Sequence, residues 1–378
     1  MRLTRTVAAS VVVALTAALA GCGSSELGGA APSATTALAA ELQGIVDDAL
    51  EANGIPGAAV SVDTGAAAPW LSFTGVADTT TNAPVTPEDR FAYRSITKSF
   101  IVSAVLENVA AGRIALDDAI SEYVPGVPNG ETITIRQLAG MRSGLVNYSA
   151  APAFQAAFGA DPTRSLTSAE LLAYSFELPP NFAPGERYEY SNTNTILLGE
   201  MLRTVSGMDD WAGYVAEHVT KPLGLSTVVY PGAGTMPTPA AAGYLVGDGQ
   251  IEAAPPGMFE MFGAAGGLTG TLADLAAWGS ELGTGTLLTP AVQAERTANP
   301  SDPRDDPNSP VYDAYGLGIG EIDGWWGHTG YGLGFSALVM RNPGTGQVIA
   351  IMLNASPPDH DVPAAMFRRL SAAVDAAG

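Results

Sequence analysis

The chain has 378 residues and a mass of 38.5 kDa, and its 47% hydrophobic and 15% charged residues are typical of a globular protein. That length suffices for one large domain or two smaller ones with well-filled cores. The 38 acidic and 17 basic residues give a net charge of −21, which argues against binding to nucleic acid. One cysteine excludes a disulfide framework, and three histidines leave little to build a structural zinc site. We therefore expect no metal and no cofactor.

Residues 1–21 have the layout of a secretory signal peptide. Two arginines within the first five residues precede an uncharged run, Val7–Ala20, which is too short to span a bilayer. The run ends in Leu19-Ala20-Gly21-Cys22, which resembles the lipobox of bacterial lipoproteins, whose cysteine is lipidated after cleavage. This resemblance predicts a protein that is secreted across the cytoplasmic membrane and lipid-anchored on its outer face through Cys22. The alternative is an ordinary signal peptide followed by an unrelated thiol.

The rest of the chain divides into a predicted tether, residues 22–37, and a predicted folded domain, residues 38–378. The tether is rich in Ser, Gly, Ala and Thr, a composition typical of flexible linkers. Strand patterns lie at both ends of the domain and mostly helical patterns lie between about 99 and 279. This arrangement predicts an antiparallel sheet built from the two termini, flanked by helices, with an inserted helical region. The expected terminal elements are helix Leu38–Leu50, hairpin strands Ala58–Val62 and Trp70–Val76, hairpin strands Phe335–Met340 and Gln347–Leu353, and a closing helix that begins near Asp361.

Ser95 and Lys98 form a candidate catalytic pair in the sequence Ser95-Ile96-Thr97-Lys98. The apolar residues that follow have helical spacing, which places Ser95 at the first turn of a helix with Lys98 on the same face. The chain has only two lysines, and lysine, unlike arginine, can lose its proton in a protein and act as a base. Lowering its pKa from about 10.4 to near 7 requires about 4 kcal/mol, which burial can supply. The alternative is a helix-capping serine beside a solvent-exposed lysine.

Two further segments carry side chains that suit a carbonyl substrate. In Tyr190-Ser191-Asn192 the first and third side chains point the same way in an extended loop and offer a phenol and an amide to one cavity. In His328-Thr329-Gly330 the histidine can share a proton, the threonine can bind a carboxylate, and the glycine lets the backbone approach a ligand. Taken alone, each segment also fits a structural role, as a packed loop tyrosine or a glycine-rich strand end. A dinucleotide loop is disfavoured, because no strand–turn–helix pattern accompanies these glycines.

Together, the three segments have the order and about the separations found in the serine β-lactamase and penicillin-binding-protein superfamily. The chain resembles the branch that contains class C β-lactamases, D-alanyl-D-alanine carboxypeptidases and family VIII esterases, from about Leu38 to its end. The resemblance implies an α/β (α+β) fold of the β-lactamase/transpeptidase type. In one supporting segment, Met141 or Gly140 stands where this branch usually has a histidine. The supporting segments are Leu138–Leu145, Pro184-Gly185, Pro222-Leu223-Gly224-Leu225, and Gly266-Gly267-Leu268 followed by Asp274-Leu275.

The resemblance also implies a role for each matched residue. A histidine at 328 is similar to the carboxypeptidase type, whereas β-lactamases usually have lysine there. The Glu-x-x-Leu-Asn segment of class A enzymes and the Gly-x-Ser-x-Gly elbow of α/β-hydrolases are both missing from the sequence. The implied roles are acylated nucleophile for Ser95, proton transfer for Lys98 and Tyr190, substrate binding for Asn192, His328, Thr329 and Gly330, and a backbone oxyanion hole at Ser95 and Tyr331.

The sequence therefore predicts an exported serine hydrolase with an acyl-enzyme at Ser95, and a D-alanyl-D-alanine carboxypeptidase is the preferred form. A class C-type β-lactamase and a family VIII-type esterase stay open, because the same residues serve amides and esters. The expected partners are a carbonyl substrate (a peptidoglycan stem peptide, a β-lactam or an ester) and the membrane, through the lipid anchor. Outside enzymes, the alternatives are a penicillin-recognising or cell-wall-binding module and a structural lipoprotein whose motifs are fortuitous.

Overall fold

A computed structural model describes residues 34–377, and the predicted signal peptide, Cys22 and most of the predicted tether lie outside these residues. The α-helices are α1 (Ala34–Asn53), α2 (Thr97–Ala110), α3 (Ile135–Ala139), α4 (Pro152–Ala160), α5 (Ser168–Phe176), α6 (Asn192–Ser206), α7 (Trp211–Val215), α8 (Leu272–Thr284), α9 (Pro290–Ala298) and α10 (Val362–Ala377). The strands are β1 (Gly57–Val62), β2 (Trp70–Asp78), β3 (Ala83–Pro84), β4 (Phe91–Ala92), β5 (Tyr244–Gly247), β6 (Gln250–Ala253), β7 (Thr269–Gly270), β8 (Ala314–Tyr315), β9 (Gly320–Ile322), β10 (Trp325–Gly332), β11 (Phe335–Arg341), β12 (Val348–Leu353) and β13 (Ala355–Ser356).

An antiparallel sheet of eight strands lies at the centre of the described chain, in the order β3-β2-β1-β12-β11-β10-β9-β8. The N-terminal hairpin of β1 and β2 meets the C-terminal hairpin of β11 and β12 where β1 pairs with β12, with Val60 opposite Ile351. The two ends of the domain therefore build one sheet. This confirms both predicted hairpins and the predicted antiparallel sheet.

Each face of the sheet is covered by helices. Val60 and Ile351 pack into the core that contains residues of α1 and α10, whereas Ala59 and Val339 pack into the core that contains residues of α2 and α8. Neighbouring residues of one strand enter different cores because side chains alternate across a sheet with a period of two. The result is a helix–sheet–helix sandwich with a hydrophobic core on each side of the sheet.

The structure differs from the expectations in detail. Helix α1 begins at Ala34, so it includes the last residues of the predicted tether, and the closing helix α10 begins at Val362. The region between about 99 and 279 is mostly helical as predicted, but it also contains the short antiparallel pair β5 and β6. Strands of four residues are too short to give a clear alternation in sequence. None of the helices within residues 34–377 is both long and apolar enough to cross a lipid bilayer.

Helix α2 is the element that positions the candidate site. A single 3-10 turn, Arg94–Ile96, leads into α2 and packs against β10. The helix itself is buried for most of its length, and the ring of Phe100 stacks on Trp278 of α8 with centroids 3.8 Å apart. The Trp278 indole N–H also donates a hydrogen bond of 2.8 Å to the Ser99 hydroxyl. These contacts fix the residues at the start of α2 between the sheet and the helical layer.

Candidate active site

Ser95 and Lys98 lie in hydrogen-bonding contact at the start of α2. Ser95 is in the 3-10 turn, Lys98 is in the first turn of the helix, and Lys98 Nζ lies 2.9 Å from Ser95 Oγ. The side chain of Ser95 stays partly exposed, whereas Lys98 is fully buried. The structure therefore agrees with the predicted geometry of this pair and excludes the alternative of a solvent-exposed lysine.

The surroundings of Lys98 favour its neutral form. Its amine donates a second hydrogen bond, of 2.7 Å, to the carbonyl oxygen of Ala265 and forms no ion pair with a carboxylate of the described chain. Burial lowers the pKa of Lys98 well below its usual value, because a charged amine loses its hydration inside the protein. A neutral amine 2.9 Å from a hydroxyl is placed to accept the hydroxyl proton.

Tyr190 lies against the same amine. Lys98 Nζ is 5.0 Å from the centroid of the Tyr190 ring, and the Tyr190 hydroxyl is buried with no hydrogen-bond partner among the described residues. Burial raises the pKa of Tyr190 well above its usual value, and the nearby Ser95 side chain lowers it by a smaller amount. Tyr190 is therefore protonated when Lys98 is neutral, and it is suited to donate a proton rather than to act as the first base.

The loop that carries Tyr190 is held in place by backbone contacts. The Tyr190 amide donates to Asp306 Oδ2 at 2.7 Å, and the Glu189 amide donates to the Met141 carbonyl at 2.9 Å. Met141 is buried at a positive φ of 59°, and its sulfur accepts a hydrogen bond from the Asn194 side chain at 3.3 Å. Met141, one of the two residues that the resemblance places at the usual histidine position, thus supports the loop without contributing a titratable group.

Asn192 is tied to a neighbouring loop. Its side-chain amide donates to Ser149 Oγ at 3.0 Å, and its backbone N–H donates to Asn147 Oδ1 at 3.2 Å. It is the first residue of α6 and is partly exposed. The structure fixes the orientation of this amide through Ser149, and its contact with a substrate stays a prediction.

His328 is fully buried among tyrosine side chains. Its Nε2 lies 3.1 Å from the Tyr315 hydroxyl, and its Nδ1 lies 3.2 Å from the Tyr312 hydroxyl and 2.6 Å from the Thr329 carbonyl oxygen. Burial, and to a smaller extent the nearby Lys98, lowers the pKa of His328 to about 3. The imidazole is therefore neutral at physiological pH, and its contact with a substrate stays a prediction.

Strand β10 approaches the 3-10 turn that contains Ser95, called here the nucleophile turn after the predicted role of Ser95, closely at Gly330. A β-carbon at this position would lie 2.2 Å from the carbonyl oxygen of Tyr93, so only glycine fits. Thr329 is partly exposed, and its hydroxyl lies 2.8 Å from that of Tyr312. Tyr331 follows with its side chain 40% exposed, and its hydroxyl donates to the Pro357 carbonyl. The close approach is what an oxyanion hole built from the amides of Ser95 and Tyr331 requires, and that role stays a prediction.

Sequence reasoning missed three residues that support this site. Arg94, next to Ser95, is buried at a positive φ of 50°, lies over the ring of Phe262 and donates to the Leu333 carbonyl at 2.8 Å. Tyr312 and Tyr315 surround the His328 ring. Arg94 could have been predicted from the sequence, because it is adjacent to Ser95. The two tyrosines belong to no sequence motif, and they become neighbours of His328 only through the pairing of β8, β9 and β10.

Comparisons with known proteins show the family and the fold of this chain. The family model described as Beta-lactamase matches residues 42–373. The chain belongs to the beta-lactamase family of serine hydrolases. The solved structure of a D-stereospecific amidohydrolase from Streptomyces sp. is similar, with a TM-score of 0.74 and 29% identity, over 87% of this chain and 98% of that one. This confirms the resemblance and the fold inferred from the sequence.

Curated relatives match a shorter part of the family domain. Protein flp of Staphylococcus aureus (strain MW2) is 30% identical over 191 residues, which are 48% of this chain and 36% of that protein. A D-aminopeptidase of Brucella anthropi is 28% identical over 173 residues, which are 46% of this chain and 32% of that protein. The matched segment therefore spans about a third of the length of these curated relatives.

Lys98→Arg should abolish most of the activity, because arginine keeps the positive charge but cannot serve as a base. Loss of a general base typically lowers kcat by about 10²–10⁴-fold. The matched control is Lys221→Arg, since Lys221 is exposed and pairs with Glu217. If Lys98→Arg keeps kcat within about threefold of the parent, Lys98 is not the proton acceptor.

Gly330→Ala should lower kcat strongly and the unfolding midpoint only modestly. The new methyl group forces β10 away from the Tyr93 carbonyl and the nucleophile turn. Gly44→Ala is the control, since a β-carbon there meets no atom within 4 Å and alanine favours a helix. Ester hydrolysis and thermal unfolding are measured on both variants. Full activity in Gly330→Ala would mean that β10 does not need to lie against the turn.

The pH profile should follow Lys98 and not His328. Activity requires the neutral amine, so kcat/KM should rise with pH through the lowered pKa of Lys98 and then reach a plateau. His328, with a pKa of about 3, stays neutral throughout the measurable range. His328→Gln should therefore leave the midpoint of the acid limb within about 0.5 pH unit of the parent. A larger displacement would identify His328 as a titrating group of the site.

Proposed function

We propose that this protein hydrolyses amide bonds of D-amino acid derivatives through an acyl-enzyme at Ser95. The observation that carries the proposal is the contact of 2.9 Å between Ser95 Oγ and the buried amine of Lys98. A serine hydroxyl is a weak nucleophile until a base removes its proton, and this amine is the base within reach. The site thus contains an activated nucleophile, which a pure binding module does not need.

The first half-reaction forms the acyl-enzyme. The Ser95 hydroxyl gives its proton to the lone pair of Lys98 Nζ while its oxygen bonds to the carbonyl carbon of the substrate. The carbonyl electrons move to the oxygen, which the backbone amides of Ser95 and Tyr331 would stabilise as an oxyanion. When the C–N bond breaks, the leaving nitrogen takes a proton from the Tyr190 hydroxyl, and Tyr190 recovers one from the Lys98 ammonium.

The second half-reaction releases the acid product. A water molecule attacks the ester carbon and gives its proton to the neutral Lys98 amine. The C–O bond to Ser95 breaks, and the serine oxygen takes the proton back from Lys98. Lys98 and Tyr190 return to their starting protonation states, neutral amine and neutral phenol, which are the states that their burial favours. The cycle consumes one water and uses only these side chains and the backbone amides of Ser95 and Tyr331.

The charge state of the site supports an uncharged leaving group. A carboxypeptidase must recognise a C-terminal carboxylate, for which a cation is the strongest partner. His328 is held neutral by burial, and burial also favours the neutral form of Lys98. A substrate whose leaving group is an amine without a carboxylate therefore fits this part of the site better.

The D-configuration is proposed from the relatives. The similar structure at 29% identity is a D-stereospecific amidohydrolase, and one curated relative is a D-aminopeptidase. A D-alanyl-D-alanine carboxypeptidase remains the second candidate, because the sequence has His328-Thr329-Gly330 and the partly exposed Thr329 hydroxyl offers a hydrogen bond to a carboxylate. A β-lactamase and an esterase would use the same Ser95, Lys98 and Tyr190.

Export and anchoring are also part of the proposal. They rest on the sequence of residues 1–21 and on Cys22 in the lipobox-like segment. A protein held on the outer face of the membrane would meet peptides that contain D-amino acids from the cell wall. Replacing Cys22 with serine and following the protein in membrane and culture fractions tests the anchor independently of the activity.

A substrate panel tests the proposed activity. We expect D-phenylalanine amide and D-alanine p-nitroanilide to be hydrolysed at least about tenfold faster, by kcat/KM, than their L-enantiomers and than an N-acylated D-Ala-D-Ala peptide. A cephalosporin and a short p-nitrophenyl ester complete the panel. Ser95→Ala is the control and should lose all turnover, because it lacks the nucleophilic oxygen.

The outcomes of the panel distinguish the proposed amidase from the alternative functions. Steady release of D-alanine from the peptide without amide turnover would replace the proposal with the carboxypeptidase, and steady cephalosporin turnover would replace it with a β-lactamase. Incubation with a fluorophosphonate, followed by mass spectrometry, should add mass to Ser95 in the parent and not in Ser95→Ala. An unmodified Ser95 and no turnover of any substrate would leave a binding module as the function.

A further inference from the structure

A cavity of about 290 Å³ lies apart from the candidate active site. It is enclosed by the C-terminal end of α8, by α9, by β10 and by the end of β11. Neither Ser95, Lys98, Tyr190 nor His328 lines it. Its volume is close to the lower end of the range for small-molecule sites. The lining residues that matter for its chemistry are Arg296, Arg341, Gln293 and Trp326.

Arg296 brings a buried charge to this cavity. Its side chain is only 2% exposed, and one nitrogen donates to the Ser103 hydroxyl at 2.8 Å. Nε and Nη1 are buried without a hydrogen-bond partner among the described residues. Burial lowers the pKa of Arg296 to about 10, although the guanidinium still carries its charge at neutral pH. A buried cation with unused N–H donors is costly unless an anion approaches it.

Arg341 and Gln293 add unused polar atoms to the same wall. Nε of Arg341 is buried without a partner, and so is Oε1 of Gln293, whose Nε2 donates to the Leu282 carbonyl at 2.8 Å. Neither Arg296 nor Arg341 forms an ion pair within the described part of the chain, whereas Arg113, Arg136 and others do. In a protein with 38 acidic residues, two arginines that line one cavity without a carboxylate partner are unusual.

The carboxylate of Glu281, whose charge acts on Arg296, already has other partners. Glu281 raises the pKa of Arg296 through its charge but does not contact the guanidinium. Its oxygens accept hydrogen bonds of 2.6 Å from the Thr286 hydroxyl and 3.1 Å from the Leu287 amide. Glu281 is not among the residues that line the cavity. No carboxylate of the described residues therefore forms an ion pair with either guanidinium, and both residues line the cavity.

The residues that line the cavity also favour a ligand with a flat or apolar body. Trp326 and Arg341 are directly opposite each other in the pairing of β10 with β11, so an aromatic ring and a guanidinium lie side by side on one wall. Gly283 leaves space for the Arg341 guanidinium, since a β-carbon at position 283 would lie 2.1 Å from Arg341 Nη1. The remaining lining includes Leu282, Ile319 and Pro343.

We propose that this cavity binds a small organic anion with two negative charges, a phosphate monoester or a dicarboxylate, whose oxygens contact Arg296 and Arg341. Both chemistries present paired oxygens that match the planar donors of a guanidinium. The body of the ligand would pack on Trp326. Two cations in one small site favour a doubly charged ligand over a singly charged one. The proposal does not depend on which amide, peptide or ester Ser95 attacks.

Calorimetric titration of the purified protein tests the site with four probes at pH 7.5. Phenyl phosphate and phthalate are the dianions, benzoate is the monoanion, and inorganic phosphate lacks the ring. We expect at least one aromatic dianion to bind saturably and at least about tenfold more tightly than benzoate. Comparison of phenyl phosphate with phthalate decides between a phosphate and a dicarboxylate, and comparison with inorganic phosphate tests the contribution of Trp326.

Two variants locate the binding. Arg341→Gln removes one cation from a half-buried position, and Gly283→Ala pushes the Arg341 guanidinium out of its place, so each should weaken binding about tenfold or more. Arg203→Gln is the control, because Arg203 is exposed on α6 and pairs with Glu200. Unfolding midpoints confirm that each variant is folded. No saturable binding of any probe, or binding that both cavity variants leave unchanged, would overturn the proposal.

Discussion

The buried amine of Lys98 is the constraint on which the proposed chemistry of this protein depends. Burial favours its neutral form because no carboxylate among the described residues pairs with it, and its hydrogen bonds reach only Ser95 Oγ and the Ala265 carbonyl. A carboxylate at the same distance would hold the proton on the amine and remove its basicity. The stability lost by burying an unpaired lysine is offset by the packing of α2, whose ring stack with Trp278 belongs to the larger core.

The fold brings two distant segments, the Tyr190 loop and strand β10, to this amine. Strand β10 can lie against the nucleophile turn because Gly330 has no side chain to meet the Tyr93 carbonyl. The same strand brings His328 into a tyrosine environment, where the ring stays neutral and Tyr312 and Tyr315 satisfy its nitrogens. A neutral imidazole at this point adds no positive charge to the site. The missing charge is the physical basis for proposing a leaving group without a carboxylate.

Two arginines of this acidic protein are buried without a carboxylate partner among the described residues, as Lys98 is. Several exposed arginines pair with carboxylates, as expected for a chain with an excess of Asp and Glu. Arg94 and Arg296 are instead buried with one hydrogen bond each, and burial lowers the pKa of both. Arg94 is surrounded by phenylalanine rings, which attract a cation through their faces. Both arginines line a cavity, but no aromatic ring of the described residues lies over the Arg296 guanidinium, so its charge lacks the stabilisation that the rings give Arg94.

The sequence by itself determined the terminal hairpins, the start of α2 and the residues of the Ser95, Tyr190 and His328 segments, because these depend on local periodicity and on spacing along the chain. Only the tertiary structure decided the protonation states. The pKa of Lys98 and that of His328 depend on burial by residues far away in sequence, including Ala265 and Tyr315. The arginine-lined cavity is likewise absent from any local pattern, since α8, α9, β10 and β11 each contribute part of its wall. The loss of hydration that shifts these pKa values depends on how the folded chain packs, so a sequence motif cannot predict it.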